Sequence, residues 1–183
     1  MKRVGLLTTL IGIVFIGSFM GSCSKSSSPA KPTLYDSLGG TAMTPDPANS
    51  GAMIEKGRLG IRSVVDSAIF VIAGDSKINS YFMTLLTEVG SSNFTGFNAL
   101  SKNLTDFICV GTGAKNFSYT GKSMVAAHNP ATNSRINNKI DAADFNEFVG
   151  DVVVAAQKNS VPPNLINSLG VILFSLESQV VQR

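Results

Sequence analysis

The sequence has few of the residues from which most metal and catalytic sites are built. Its 183 residues include one histidine, two cysteines and no tryptophan, and only 15% are charged. Zinc sites in proteins use three or four histidine, cysteine or carboxylate ligands, and no HExxH, CxxC or paired-carboxylate pattern occurs here. This scarcity excludes a conventional zinc enzyme. A metal bound through His128, the single histidine, would need a cofactor that supplies most of the ligands itself.

The charge balance gives no reason to expect a nucleic-acid partner. The formal net charge is +3, and Lys2 and Arg3 supply two of those charges. Nucleic-acid-binding domains carry clustered basic residues, commonly interleaved with aromatic ones, and no such stripe occurs in this chain. The length suits one globular domain with a substantial core.

The N-terminus has the pattern of a bacterial lipoprotein signal. A short basic region is followed by the uncharged run Val4–Phe19, and Met20, Gly21 and Ser22 then precede Cys23 and a Ser-rich stretch. This resembles a lipobox, in which the cysteine thiol receives a diacylglycerol, and several acyl chains on one residue anchor a protein stably. We predict a signal peptide over residues 1–22, a lipidated Cys23 with a flexible tether over residues 23–33, and a domain over residues 34–183.

This pattern predicts an extracytoplasmic domain at a membrane surface. An uncleaved membrane anchor with an incidental cysteine is the alternative. Ser24 stands where inner-membrane lipoproteins usually carry Asp, which favours an outer-membrane location. Cys109 is left without a disulfide partner, and its apolar helical setting predicts a buried small hydrophobe.

Apolar residues recur at helical spacing in four stretches, whereas strand-like alternation is absent. The stretches are Ile61–Ile72, Phe97–Ile108, Phe145–Ala156 and Leu165–Val180. Asp141 is expected to cap the third helix, and Pro162–Pro163 to open the fourth. The sequence predicts loops over Thr41–Gly57 and Lys115–Lys139. The pattern predicts an all-α domain with four main helices.

His128 lies in the second of these loops, on a short helical turn. Met124, Ala127 and His128 fall at i, i+3 and i+4 and therefore share one face. Spacing alone favours an ordinary structural histidine over a metal ligand. Heme is the cofactor that one histidine can hold, because the porphyrin supplies four nitrogens and the protein needs only one axial ligand.

Five segments, in order, resemble the group I truncated hemoglobins. They are Leu34–Gly40; Val64–Asp66 with Asp75 and Ser80–Phe82; Leu104–Cys109 with Thr112–Gly113; Tyr119–Met124 with Ala127–His128; and Ile140–Phe145 with Leu165–Leu176. The fourth segment is the most specific, because the family's heme-ligating histidine stands at the position of His128. Insertions follow Gly40, Gly113 and His128, and Ala114 replaces the second glycine of a family motif.

The resemblance implies a globin-like two-on-two helical sandwich that holds heme b. His128 would be the proximal iron ligand and Phe82 the aromatic wedge against the porphyrin. The other cofactor contacts it implies are Leu100, Leu104, Met124, Ala127, Ile140, Phe145 and Phe148.

The expected distal pocket departs from the family pattern. Ile69 aligns where truncated hemoglobins usually carry a tyrosine, and Leu100 and Leu104 align with positions that are often polar. An apolar pocket would remove a hydrogen bond of roughly 1 kcal/mol or more from a bound oxygen. We therefore expect fast oxygen dissociation and a relative preference for carbon monoxide or nitric oxide. Tyr81, and less readily Tyr119, are the hydroxyls that could swing in.

The insertion Asn129–Lys139 adjoins the proximal side. Arg135 and Lys139 there, and Lys115 before it, could reach a heme propionate, but a solvated loop is the favoured interpretation.

Three functions fit these features. The leading one is reversible binding of oxygen, nitric oxide or carbon monoxide at heme iron. The second is a heme enzyme such as a nitric oxide dioxygenase; it would need an external reductant, and an apolar distal pocket offers no general acid–base group. The third is a globin-fold interaction lipoprotein without heme.

Overall fold

Helices make up most of residues 30–183, the part of the chain that the computed structural model describes. The chain begins with α1 (Leu34–Ser37) and a hairpin of β1 (Met43–Pro45) and β2 (Met53–Glu55). The later helices are α2 (Lys56–Gly74), α3 (Met83–Gly90), α4 (Thr95–Gly111), α5 (Met124–His128), α6 (Ala142–Lys158), α7 (Pro163–Phe174) and α8 (Glu177–Val180). A 3₁₀ turn, Asn79–Phe82, precedes α3. The predicted signal peptide and Cys23 lie outside the described residues.

The predicted apolar stripes form the contacts between the main helices. α2 packs against both α4 and α6, and α6 packs against α7. The stripe of α2 is buried along its whole length, from Ile61 to Ile72, and each fully buried aliphatic side chain contributes about 1.5–3 kcal/mol. One pair of helices, α2 and α4, thus packs on a second pair, α6 and α7. The predicted all-α two-on-two fold is confirmed.

Two parts of the chain differ from the prediction. The loop Thr41–Gly57 contains the antiparallel hairpin, in which Thr44 pairs with Ile54. Its strands have three residues each, too few for alternation to stand out in the sequence. The fourth predicted helix is two helices, because the chain breaks at Ser175 and Leu176 and α8 then packs against α5 and α6.

The start of α6 is capped as predicted and is tied to the turn before α3. Asp141 accepts hydrogen bonds from the backbone N–H groups of Ala143 and Asp144, and the Asp144 side chain accepts one from the Asp141 N–H. This reciprocal arrangement is a capping box. The Tyr81 hydroxyl also donates to Asp144, at 2.5 Å. The capping box therefore anchors the 3₁₀ turn that carries Phe82.

The end of α4 requires a glycine at one position. Gly113 has φ +98°, and the Ala114 N–H then bonds to the carbonyl of Cys109 in a Schellman motif. A Cβ on Gly113 would lie 2.9 Å from the Cβ of Thr33, the residue that caps α1. Ala114 needs no positive φ, so a residue other than glycine is accommodated at this position.

We predict that Gly113→Ala lowers the free energy of unfolding by about 2 kcal/mol. The left-handed conformation costs a side chain roughly 1–2 kcal/mol, and the contact with Thr33 adds strain. The matched variant Ala114→Gly is expected to cost less, about 1 kcal/mol, through chain entropy and the loss of one methyl contact with the core. Urea denaturation of both variants measures the difference in free energy of unfolding. Equal losses of stability in the two variants would contradict the requirement for glycine at position 113.

Residues 31–183 form one compact unit. Thr33, which the sequence places in the tether, belongs to this unit because it caps α1. Within the described residues, no helix is both long and apolar enough to cross a membrane.

Candidate heme-binding site

His128 ends the short helix α5 with one ring nitrogen fixed. Ser123 caps the start of the helix by accepting a hydrogen bond from the Ala126 N–H. At the other end, Nδ1 of His128 lies 2.8 Å from the carbonyl oxygen of Met124. A carbonyl only accepts, so Nδ1 carries the proton and Nε2 keeps its lone pair. Nε2 makes no hydrogen bond within residues 30–183, so no protein donor there occupies its lone pair.

Burial favours the neutral form of the His128 ring. It lowers the pKa of His128 below its usual value, although the hydrogen bond to Met124 partly opposes this effect. The charged imidazolium cannot ligate a metal, whereas the neutral imidazole can. The setting of His128 therefore favours the ligating form.

Most of the predicted contact residues lie half-buried at the borders of the core. Met124, Ile140 and Phe148 pack against the cluster between α2 and α6. Phe82, Leu100 and Leu104 pack against a second cluster, which contains Ile69. Phe82, Ile140 and Phe148 also share a third cluster around Ile72, Ile78 and Tyr81. Phe82 thus packs both against the cluster of the predicted distal residues and against one that it shares with Ile140 and Phe148.

The predicted distal residues are apolar, and the two polar residues next to the leucines of α4 differ in their bonding. Ile69 is 6% exposed and packs in one cluster with Leu100 and Leu104. Ser101, the neighbour of Leu100, donates to Asp66 on α2. Thr105, the neighbour of Leu104, is 1% exposed, and its hydroxyl has no hydrogen-bond partner among the described residues.

Neither tyrosine is free to replace the missing distal donor. The Tyr81 hydroxyl donates to Asp144 and accepts from Arg183 at 3.2 Å, and its ring is 7% exposed. Burial and the Asp144 carboxylate raise the pKa of Tyr81 to about 12. Tyr119 donates to the carbonyl of Lys122 and packs edge-on against Phe107. An inward swing of either side chain would break these contacts.

Solved structures with the same arrangement of helices exist. Variants of the truncated hemoglobin from Tetrahymena pyriformis, in the Fe(III) form, match with a TM-score of 0.59 and 16% identity, over 83% of this chain and all of theirs. The 2/2 hemoglobin from Synechococcus sp. PCC 7002, in the cyanomet state with covalently attached heme, matches with a TM-score of 0.58 and 19% identity over the same shares. The chain has the truncated hemoglobin fold. No family model and no curated protein matches the sequence.

Within the truncated hemoglobin fold, two predicted contact residues lie in different settings. Ala127 is half-buried on α5, beside His128. Phe145 is 2% exposed and stacks edge-on against Phe174 of α7, with ring centroids 6.0 Å apart. Phe145 is therefore part of the packing between α6 and α7, and its contact with a heme stays a prediction.

Cys109 is buried, as predicted. It is fully inaccessible, and burial raises the pKa of its thiol to about 11. A neutral, inaccessible thiol is unreactive, so this residue acts as a small core hydrophobe.

The insertion after His128 is not simply a solvated loop. Arg135 forms a two-pronged ion pair with Glu88 of α3, with N–O distances of 2.6 and 2.9 Å. Thr132 and Asn133 form hydrogen bonds to α5. These partners could not be predicted from the sequence. A polar residue in a loop gives no sign of which residue on another helix it will pair with.

Proposed function

We propose that this domain holds one heme b, with His128 as the proximal iron ligand, and reversibly binds a diatomic gas on the opposite face. The observation that carries the proposal is the orientation of His128: its Nδ1–H is held by the Met124 carbonyl, burial favours the neutral ring, and Nε2 has no hydrogen-bond partner among the described residues. The order of the sequence motifs further supports assignment to the group I truncated hemoglobins.

The available donors fit heme and no bare metal ion. Among the described residues, no group of three or more histidine, cysteine or carboxylate side chains is arranged to hold a metal. A single imidazole suffices when a porphyrin supplies four nitrogens. The half-buried apolar side chains around the three clusters are the kind of surface that a porphyrin ring covers.

Each group of residues would have a distinct task. Heme iron supplies the binding of oxygen, nitric oxide or carbon monoxide. His128 Nε2 would bind the iron, and Met124, Ile140 and Phe148 would exclude water from the proximal side. Ile69, Leu100 and Leu104 would line the distal side without offering a proton donor or acceptor. This last feature favours a binding protein over a heme enzyme, because no general acid–base group is in place.

Titration of the purified full-length chain with hemin tests the proposal. We expect an intense Soret band that saturates at one heme per chain and a ferrous form that binds carbon monoxide reversibly. Absence of saturable heme uptake would overturn the proposal and leave the heme-free interaction protein. Nitrate formed on mixing the oxygenated protein with nitric oxide, at a rate sustained by a reductant, would identify the dioxygenase instead.

We also propose that Cys23 carries lipid and anchors the domain to the extracytoplasmic face of a bacterial membrane, with the outer membrane as the favoured location. The basic, apolar and small-residue pattern before Cys23 supports this assignment. Cys23→Ala is expected to abolish incorporation of labelled fatty acid in bacterial cells, as read by gel fluorography. Equal labelling of the Cys23→Ala protein would refute lipidation at this residue.

A further inference from the structure

Four consecutive carbonyls of α5 accept hydrogen bonds from side chains. The acceptors are Met124, Val125, Ala126 and Ala127. His128 itself serves the first, at 2.8 Å, and Gln182 Nε2 serves the second, at 3.1 Å. Thr132 Oγ1 donates to the third at 2.9 Å, and Asn133 Nδ2 to the fourth at 2.6 Å. We call Thr132, Asn133 and Gln182 the carbonyl clamp.

These bonds matter because α5 is short, and its other contacts are mainly with α8 and through the packing of Met124 against the core. The last four carbonyls of a helix have no partner inside the helix, and a five-residue helix is scarcely longer than that. None of the residues of α5 is fully buried, although His128 is half-buried. Helices this short are not stable by themselves. The direction of His128 therefore depends on bonds from outside the helix.

The segment that carries Thr132 and Asn133 is itself held at both ends. At its start, the Asn129 side chain accepts from the Ala131 N–H, and the Asn133 N–H bonds to the Asn129 carbonyl. Lys122, before α5, donates to the carbonyl of Thr132. These contacts make a tight turn directly after the helix.

The far end of the segment reaches α3 and the first turn of α4, the helix that carries Leu100 and Leu104. The Arg135–Glu88 ion pair joins it to α3. The pair lies against Gly96 in the first turn of α4, where any side chain would overlap it. Gln182 is fixed in turn by its N–H, which bonds to the Ile140 carbonyl before α6. The clamp thus links α5 to the elements on both sides of the site.

We infer that the carbonyl clamp positions the iron ligand: Thr132, Asn133 and Gln182 set the orientation of His128, and Arg135–Glu88 holds the clamp in place. The inference rests on the proposed function. The inference assigns a positioning role to the insertion Asn129–Lys139, which the sequence alone suggests is a solvated loop.

Asn133→Ala, with Asn138→Ala as its matched control, tests the clamp. Both asparagines lie in the same segment, but Asn138 is exposed and its side chain bonds nothing within the described residues. In the heme-loaded full-length protein, Asn133→Ala should shift or broaden the iron–histidine stretching band in the resonance Raman spectrum. Transfer of heme to an excess of an apoglobin acceptor should accelerate about tenfold, the lower end of the effect of partners outside the coordination sphere.

A readout without heme accompanies these measurements. In the heme-free protein, backbone amides of residues 124–128 should exchange with deuterium faster in Asn133→Ala than in Asn138→Ala. If Asn133→Ala does not fold, Thr132→Val replaces it, because valine keeps the shape and removes only the donor.

The ion pair is tested by a double-mutant cycle of Arg135→Ala and Glu88→Ala. Its side chains are 45% and 24% exposed, so a coupling of no more than about fivefold in the rate of heme transfer is expected.

The outcomes separate the inference from the proposed function. If the wild-type protein takes up no heme, the proposed function fails. If it takes up heme, but Asn133→Ala matches Asn138→Ala in stretching band, heme transfer and amide exchange, the clamp is refuted while the proposed function stands.

Discussion

Replacing His128 by glycine is expected to abolish stable heme binding. His128 is the only histidine in the chain, so no second imidazole can take its place. Loss of a partner outside the coordination sphere already costs 10- to 100-fold in metal-site affinity, and loss of the axial ligand itself should cost more than about 100-fold. Hemin titration followed at the Soret band measures the change in affinity.

Imidazole in the buffer provides the control for this prediction. In His128→Gly the space left by the ring can admit a free imidazole, which should restore a Soret band like that of the wild type. Undiminished heme binding by His128→Gly, without imidazole, would show that another residue holds the iron.

Introducing a hydrogen-bond donor on α4 is expected to slow oxygen dissociation. In Leu100→Gln, the amide would replace a half-buried apolar side chain next to Ile69 and Leu104. A hydrogen bond to a partly charged acceptor is worth about 1.5 kcal/mol, and 1.4 kcal/mol corresponds to tenfold. The oxygen dissociation rate should therefore fall about tenfold, with little change for carbon monoxide. Stopped-flow replacement of oxygen by carbon monoxide measures the rate.

Leu100→Met separates the donor from the change in shape. Methionine is similar in volume to leucine and offers no donor, so its oxygen dissociation rate should stay within about threefold of the wild type; volume-conserving swaps cost little. The wild-type protein could instead release oxygen slowly, with no further slowing in Leu100→Gln. That result would show that a hydrogen-bond donor is already present on the distal side. Release that becomes fast in Tyr81→Phe would identify Tyr81 as that donor.

The helices could be predicted from the sequence because their apolar residues repeat at the spacing that burial requires. Ile61–Ile72 is one continuous stripe, and Asp141 with Asp144 forms a local capping signal within four residues. His128 could be singled out for a different reason: it has no competitor among the described or remaining residues of the sequence. The spacing of apolar residues, a capping motif within a few residues and the presence of a single histidine can all be read directly from the sequence.

The partners of polar residues could not be predicted in this way. Tyr81 reads as a free hydroxyl, yet Asp144 and Arg183 engage it from 63 and 102 residues away. Gln182 reaches Val125 across 57 residues, and Arg135 reaches Glu88 across 47. Such pairs depend on how the helices pack, and packing is decided by apolar residues elsewhere. The carbonyl clamp therefore could not be predicted from the sequence, whereas His128, the residue it surrounds, could.

The single histidine also allows the central claim to be tested without a substitution. Full-length protein made with ¹⁵N-histidine carries the label in the ring of His128 alone. In the resonance Raman spectrum of the heme-loaded ferrous protein, we predict an iron–histidine stretching band that moves to lower frequency with the label. A heme-loaded protein without such a band, or with a band that the label does not move, would contradict the assignment of His128 as the iron ligand.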